Sequence, residues 1–267
     1  MTSRAAEQFA RVIIEMEPYA DEIVFVGGWV HALYLAEANE SGAIGTEDID
    51  ITIPRELLTR DRPTLLELAA RAGFERDPIS DMEAVPSWMV YTNEQGDTVP
   101  IDFLTEGDPR FAVPIAGQPG LLAQGYPGQN VLLQNTRSMS VGKEVHALLD
   151  PPRVIRVPTL GAYVLQKGIS SSTRTNRVKR AKDLAYIHEI VRHPRLGAKV
   201  FEELPALRVR YPEEHARWIQ EIEIVLTMPA VLNDVAEELS LHGRSLGPPD
   251  AIVRSVSAWF RRLLAEG

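Results

Sequence analysis

The segment Val24–Thr52 constrains the fold of this chain more than any other, and it reads VFVGGWVHALYLAEANESGAIGTEDIDIT. An apolar run typical of a buried strand ends at Gly27 and Gly28, and apolar residues at helical spacing follow. A second strand-like run then carries acids at alternate positions, Asp48 and Asp50. Because successive strand residues point to opposite faces, the two acids share one face. The segment therefore predicts a strand, a glycine turn, a helix and a second strand with a polar face.

The rest of the first half also mixes strand and helix signals. The run RPTLLELAARAGF predicts a helix with Pro63 near its start and Gly73 at its end. The run SWMVYTNEQGDTVPIDFLT predicts two strands around a turn at Asn93–Asp97. The glycine- and proline-rich stretch Gly107–Gly128 predicts a loop, and three runs predict further short strands: NVLLQN, SMSVGKEVHAL and RVIRVP.

After Pro158 the strand signals fade and helical patterns succeed one another, beginning with TLGAYVLQKGIS and NRVKRAKDLAYIHEIVR. We therefore predict an α+β protein with two domains. A mixed sheet flanked by helices is expected over residues 1–155, and a helical domain over residues 156–267.

Composition excludes several classes of protein and of site. The 267 residues include no cysteine, so disulfides and thiolate metal sites are excluded. No apolar run reaches the roughly 20 residues of a membrane helix, and MTSRAAEQFARVIIEM is typical of an amphipathic helix rather than a secretory signal. The formal net charge of −9 argues against a generally basic nucleic-acid-binding surface. We expect a cytoplasmic protein with no membrane partner.

Three acids in apolar surroundings are the strongest candidates for chemistry. Asp48 and Asp50 repel each other unless a cation lies between them, and hard oxygen ligands suit Mg²⁺. Asp102, in VPIDFLT, is a third acid within an apolar run. If its strand lies beside the first, the three carboxylates converge and can hold divalent metal ions for phosphoryl or nucleotidyl transfer. The alternative interpretation is a solvated strand face that binds nothing.

The glycines fit the same hypothesis. A strand that ends at Gly27 and Gly28, just before a helix, lets backbone N–H groups approach a phosphate closely, and the helix dipole favours the same anion. A tight turn without a ligand is the alternative interpretation.

Taken together, VGGWVHALYL, GTEDIDITIP and VPIDFLT resemble the nucleotidyltransferase fold of the DNA polymerase beta-type superfamily. The T-x-D-I-D form and the helical second half resemble abortive-infection (AbiEii-like) toxins and related bacterial enzymes. The resemblance implies transfer of a nucleoside monophosphate from an NTP to an acceptor hydroxyl, with Mg²⁺ as cofactor and release of pyrophosphate. The acceptor stays open between RNA, protein and a small molecule, and an antitoxin is a candidate partner. Two positions depart from the family pattern: Gly28 replaces a common serine and Ile44 a common arginine.

Other residues have both a functional and a structural interpretation. Thr46 precedes the acid pair and is a candidate for a phosphate or carboxylate contact, or for a turn. His31 is expected to pack inside the protein rather than contact nucleotide. Lys167 lies in an apolar helical run and needs an anion or a route to water. The resemblance adds nucleotide binding by Lys167, Lys182 and Asp183 in the motifs VLQKGIS and KRAKDLAYI.

One dense basic stretch stands out in this acidic chain, and its members are Arg174, Arg177, Lys179, Arg180 and Lys182. It suits phosphate contacts with an NTP or an RNA acceptor, or it is a solvated helix face.

From the sequence as a whole, we expect a nucleotidyltransferase. The alternative is a catalytically silent nucleotide- or partner-binding module of the same fold.

Overall fold

The fold is seen in a computed structural model that describes residues 3–40, 46, 48–77, 85–94, 96–241 and 248–266. The chain divides into two compact units. The first, the sheet unit, comprises Met1–Val30 and Thr46–Pro158; the second, the helical unit, comprises His31–Gly45 and Thr159–Gly267. Within the described ranges, no helix is both long and apolar enough to cross a membrane.

Nine strands and ten α-helices are described. The strands are β1 (Val24–Val26), β2 (Ile49–Thr52), β3 (Glu75–Arg76), β4 (Met89–Thr92), β5 (Thr98–Glu106), β6 (Ala112–Pro114), β7 (Leu122–Tyr126), β8 (Thr136–Val141) and β9 (Arg153–Pro158). The helices of the sheet unit are α1 (Ser3–Glu15), α3 (Leu65–Arg71) and α4 (Gln129–Gln134), while α2 (Gly27–Glu37) begins there and ends in the helical unit. The helical unit continues with α5 (Leu160–Thr173), α6 (Arg177–Arg192), α7 (Pro194–Arg210), α8 (Pro212–Thr227), α9 (Pro229–Leu241) and α10 (Pro249–Glu266).

The main sheet is mixed, and β5 is its central strand. The strand order is β1-β2-β5-β4-β3, with β7 also on β5 and β6 on β7. Strand β5 runs parallel to β2 and β7 and antiparallel to β4. A separate antiparallel ribbon pairs β8 with β9. The structure confirms the α+β class, with a sheet flanked by helices and a helical second half.

Alternating apolar residues explain why β2 and β5 form the centre of the sheet. Ile49, Ile51, Ile101 and Phe103 are at most 2% exposed and bury one face of the two strands. Burial of these side chains stabilises the strands and fixes their pairing register, because a shift of one residue would bring the acids into the core.

The predicted hairpin and the predicted third helix are confirmed. Strand β4 pairs antiparallel with β5, and the amide N–H of Asp97 donates to Asn93 Oδ1 at 2.6 Å in the connecting turn. Helix α3 begins after a capping box in which Thr64 and Glu67 bond each other's backbone N–H groups. Its end is followed by Gly73 at φ +94°.

Two predictions in the middle of the chain were wrong. The stretch Gly107–Gly128, predicted as a loop, contains β6 and β7. Its glycines and prolines lie at the strand ends and turns, as at Gly117 and Gly120, which both have positive φ. The run NVLLQN forms helix α4 rather than a strand, since a short apolar run has no decisive periodicity. In SMSVGKEVHAL the strand ends at Val141, and a 3₁₀-helix follows at Ala147–Leu149.

His188 gives the helical unit a testable dependence on pH. Its ring is fully buried on α6, with Nε2 3.1 Å from Ser255 Oγ. Burial, and secondly the charge of Arg192, lower the pKa of His188 from 6.5 to about 3. The unfolded chain therefore binds a proton at this ring below pH 6.5, whereas the folded chain stays neutral there until about pH 3. Stability is thus lost as the pH falls through this window.

We expect the free energy of unfolding to fall by about 2 kcal/mol more in the wild type than in His188→Gln between about pH 7 and about pH 5. Urea titrations at the two pH values measure both proteins, and the other ionisable groups cancel in the comparison. Equal losses in the two proteins would contradict a neutral buried ring.

Candidate active site

Asp50 and Asp102 lie side by side at the centre of the sheet. The parallel register of β2 and β5 places Asp50 directly opposite Asp102. Both acids are half-buried, whereas their strand neighbours on the other face are buried. Neighbouring strands are about 4.8 Å apart, so the two side chains lie close together on the same face of the sheet. The two acid-bearing strands are therefore neighbours, as the sequence analysis required.

Asp48 lies just outside this arrangement. It precedes β2 by one residue and is half-buried. Among the residues that the structure describes, no group of three or more Asp, Glu or His side chains is placed to hold a metal ion. The alternation of side-chain directions along a strand fixes the face to which Asp50 and Asp102 belong. It does not determine the side-chain direction of a residue that precedes the strand. The metal role of Asp48 stays a prediction.

Gly27 packs against the carboxylate of Asp50. Strand pairing sets Val26 opposite Asp50, and Gly27 follows with φ +73°. A Cβ atom built on Gly27 would lie 1.8 Å from Asp50 Oδ2, so a larger residue has no room there. Gly28 is the second residue of α2, whose N-terminal end favours negative charge. The space beside Gly27, which we expected a phosphate to occupy, is thus occupied by the Asp50 carboxylate. Phosphate binding by Gly27 and Gly28 stays a prediction.

Two polar residues that the sequence analysis missed support this face. Thr52 follows Asp50 by two residues on β2, and its Oγ1 donates to Gln129 Oε1 at 2.6 Å with both side chains buried. Glu106 continues the row of Asp102 and accepts N–H bonds from Gly128 and Asn130 at 3.2 and 2.8 Å. These bonds hold the start of α4. The sequence contained a signal for both, because Thr52 and Glu106 lie at the same alternate positions along their strands as Asp50 and Asp102.

The structure gives less detail for Thr46 and none for Ile44. Thr46 is 8% exposed, and its contact with a phosphate or carboxylate stays a prediction. Ile44, at the position of the family arginine, lies outside the described residues.

In the helical unit, Lys167 and Asp183 form a buried ion pair. Lys167 Nζ donates to Asp183 Oδ1 at 2.7 Å, and Ser170 and Arg174 donate to Oδ2 at 3.2 and 3.1 Å. Burial by itself would raise the pKa of Asp183, but the charges of Lys167 and Arg174 outweigh it and lower that pKa. Lys167 therefore has the anion it needs inside its own unit, and its contact with nucleotide stays a prediction.

Much of the basic stretch is likewise paired with carboxylates inside the helical unit. Arg177 is paired with Asp234, and Arg180 with Glu221 at 2.7 Å. Lys182 is half-buried, with Nζ 5.9 Å from the centre of the Tyr186 ring. Three of the arginines thus bind carboxylates of α6, α8 and α9, and Lys179 is exposed.

His31 packs inside the helical unit, as expected. It is fully buried, its Nε2 lies 2.6 Å from Glu189 Oε2, and its ring centre is 4.3 Å from that of Tyr186. A polar pair at this depth fixes how the two side chains are arranged.

Truncation of Lys167 tests its structural role. We expect Lys167→Met to lower the free energy of unfolding by about 2 kcal/mol, less than for a fully unpaired buried charge because Arg174 still holds Asp183. Urea unfolding measures the change. Lys179→Met, an exposed control on α6, is expected to change stability by less than about 0.5 kcal/mol. A Lys167→Met protein as stable as the control would contradict a structural ion pair.

The comparison with known families agrees with this geometry. A family model described as nucleotidyltransferase matches residues 4–195, more than half of the chain. The chain therefore belongs to this nucleotidyltransferase family. The match includes both acid-bearing strands as well as Lys167 and Asp183. A search of curated proteins finds no match to the chain.

Proposed function

We propose that the protein transfers a nucleoside monophosphate from an NTP to an acceptor hydroxyl in a reaction that depends on a divalent cation and releases pyrophosphate. The observation that carries this proposal is the placement of Asp50 opposite Asp102 on parallel neighbouring strands of a chain that belongs to a nucleotidyltransferase family.

The donor set fits a hard divalent cation. Two half-buried carboxylates at neighbouring strand positions repel each other, and a cation between them removes this cost. Carboxylate oxygens are the protein ligands that Mg²⁺ prefers, and Mg²⁺ keeps several waters or substrate oxygens beside one or two carboxylates. We therefore assign the metal to Asp50 and Asp102, with Asp48 as a further candidate. When bound, the metal would neutralise phosphate charge and lower the pKa of the attacking hydroxyl.

Each residue of the proposed site then has a defined role. Asp50 would hold the cation, and Asp102 would either help to hold it or accept the proton of the attacking hydroxyl. Gly27 leaves room for the Asp50 carboxylate beside the start of α2. Gly28 and Thr46 are proposed to contact the triphosphate. Nucleotide binding by Lys167, Lys182 and Asp183 is proposed on the resemblance of their motifs alone.

The direct test is a transfer assay. The purified chain is incubated with each α-labelled NTP, Mg²⁺ and a cell lysate, and label is followed into RNA, protein and small molecules. We expect one acceptor class to be labelled with release of pyrophosphate, and labelling to stop when EDTA removes the metal. No label in any class with any NTP would contradict the proposal.

A toxin is the finer form of the proposal. The T-x-D-I-D motif resembles AbiEii-like toxins, so an RNA 3′ end or a protein hydroxyl is the proposed acceptor and an antitoxin the proposed partner. Expression with and without the neighbouring genes of the source genome tests this form. Growth arrest that a neighbouring gene relieves would support it.

A silent binding module is the second candidate, and the internal ion pairs favour it. Lys167, Arg177 and Arg180 are engaged by carboxylates of the chain itself. Calorimetry with NTP and Mg²⁺ followed by a pyrophosphate assay separates the two candidates, since binding without release favours the silent module.

A further inference from the structure

A cavity of about 290 Å³ lies in the helical unit where α6 begins. Arg174, Arg177 and Arg180 line one part of it. Apolar residues from the end of α8 and the start of α9 line another, and they are Met228, Ala230 and Val231. The cavity thus combines three guanidinium groups with an apolar wall.

Carboxylates hold these guanidinium groups in place. Arg177 and Arg180 each bind their partner, Asp234 and Glu221, through Nε and Nη2. An arginine carries five N–H donors in a rigid planar fork, and neither of these two ion pairs engages the Nη1 group of its arginine in the described structure. The pairs therefore fix the orientation of both forks and leave donors for a further acceptor.

The orientation of the N–H donors, rather than a surplus of charge, suits an anion at this cavity. Its lining contains three arginines and the carboxylate of Asp234, and Asp183 and Glu221 bind Arg174 and Arg180 from outside the lining. Fixed guanidinium groups bind phosphate oxygens through charge-assisted hydrogen bonds, often two at a time. The volume is at the lower end of the range for small-molecule sites, about 300 to 1,000 Å³. A nucleic-acid duplex is far too large for it.

We propose that this cavity binds a small phosphate-bearing ligand, with the phosphate on the arginines and any apolar part against Met228 and Val231. The site lies within the helical unit and does not depend on the proposed reaction.

Calorimetry on the full chain in EDTA tests the proposal, with inorganic phosphate and AMP as the two probes. Titrations are repeated in Asp50→Asn, so that anion binding at the candidate active site is recognised separately. Saturable binding of both probes in both backgrounds is expected. AMP bound about tenfold more tightly than phosphate would place a nucleoside on the apolar wall, whereas equal affinities would assign recognition to the phosphate alone.

The variant Arg177→Gln/Asp234→Asn removes one guanidinium together with its carboxylate, so the net charge is unchanged and no buried charge loses its partner. We expect it to weaken phosphate binding about tenfold or more. The control Lys179→Gln removes a full positive charge from the same helix at an exposed position outside the cavity, and we expect less than about a twofold effect. Should the double variant unfold, Arg180→Lys keeps the charge but loses the fork, and about a fivefold weakening is expected.

Three results would overturn the proposal. They are no binding of either probe at millimolar concentration, unchanged affinity in the folded cavity variants, and equal weakening in Lys179→Gln. A silent active site with intact anion binding would instead count against the proposed function alone.

Discussion

Asp50→Asn is expected to lower the rate of nucleotide transfer about 10³-fold while the protein keeps its fold. Asparagine has nearly the same shape as aspartate but carries no charge, so the cation loses one of the two carboxylates that hold it. Asp102→Asn is expected to have an effect of similar size, because the two acids lie opposite each other in the strand register. The transfer assay with labelled NTP measures both rates, and far-UV circular dichroism confirms folding.

Two comparisons sharpen this test. The double variant is expected to lose little more activity than either single variant, because the carboxylates act as a unit. Asp97→Asn makes the same chemical change at an acid of the same unit whose side chain is 67% exposed, and full activity is expected. If Asp50→Asn kept more than about a tenth of the wild-type rate, the assignment of the metal to this acid would be wrong.

Gly27→Ala has the largest expected effect on stability, about 2 to 5 kcal/mol. A residue with a side chain is strained at the positive φ of +73°, and the added Cβ would overlap Asp50 Oδ2. The overlap can be relieved only by displacing the Asp50 carboxylate, so we also expect the transfer rate to fall nearly as far as in Asp50→Asn.

The control for this variant is Gly96→Ala. Gly96 has φ +85°, and no described atom lies within 4 Å of a Cβ built on it. Gly96→Ala is therefore expected to lower the free energy of unfolding by the backbone strain alone, about 1 to 2 kcal/mol, and to leave the activity unchanged. Urea unfolding of the two variants separates strain from overlap. Equal losses of stability would contradict the close packing of Gly27 against Asp50.

Local patterns were sufficient to predict the parts of the fold that depend on neighbouring residues. Alternation in EDIDIT and VPIDFLT correctly placed Asp50 and Asp102 on one face of their strands, and turn residues identified the hairpin of β4 and β5. Alternation also extended to Thr52 and Glu106, whose roles become visible only when α4 packs against the same face.

Long-range pairing could not be read from these patterns. Nothing local determines that β2 pairs with β5 in parallel, since that register depends on the chain that connects them. The carboxylates that bind Arg177 and Arg180 come from α8 and α9, far along the sequence. The sequence therefore contained no sign that these arginines bind carboxylates of the chain itself, which balance much of their charge inside the helical unit.

Binding of Mn²⁺, a paramagnetic substitute for Mg²⁺, tests the central claim most directly. Electron paramagnetic resonance measures free Mn²⁺ in the presence of nucleotide for the wild type, Asp50→Asn, Asp102→Asn and Asp97→Asn. We predict that both variants of the acid pair weaken Mn²⁺ binding at least about tenfold and that Asp97→Asn binds as the wild type does. Unchanged Mn²⁺ affinity in Asp50→Asn and Asp102→Asn would contradict a metal site built from this pair.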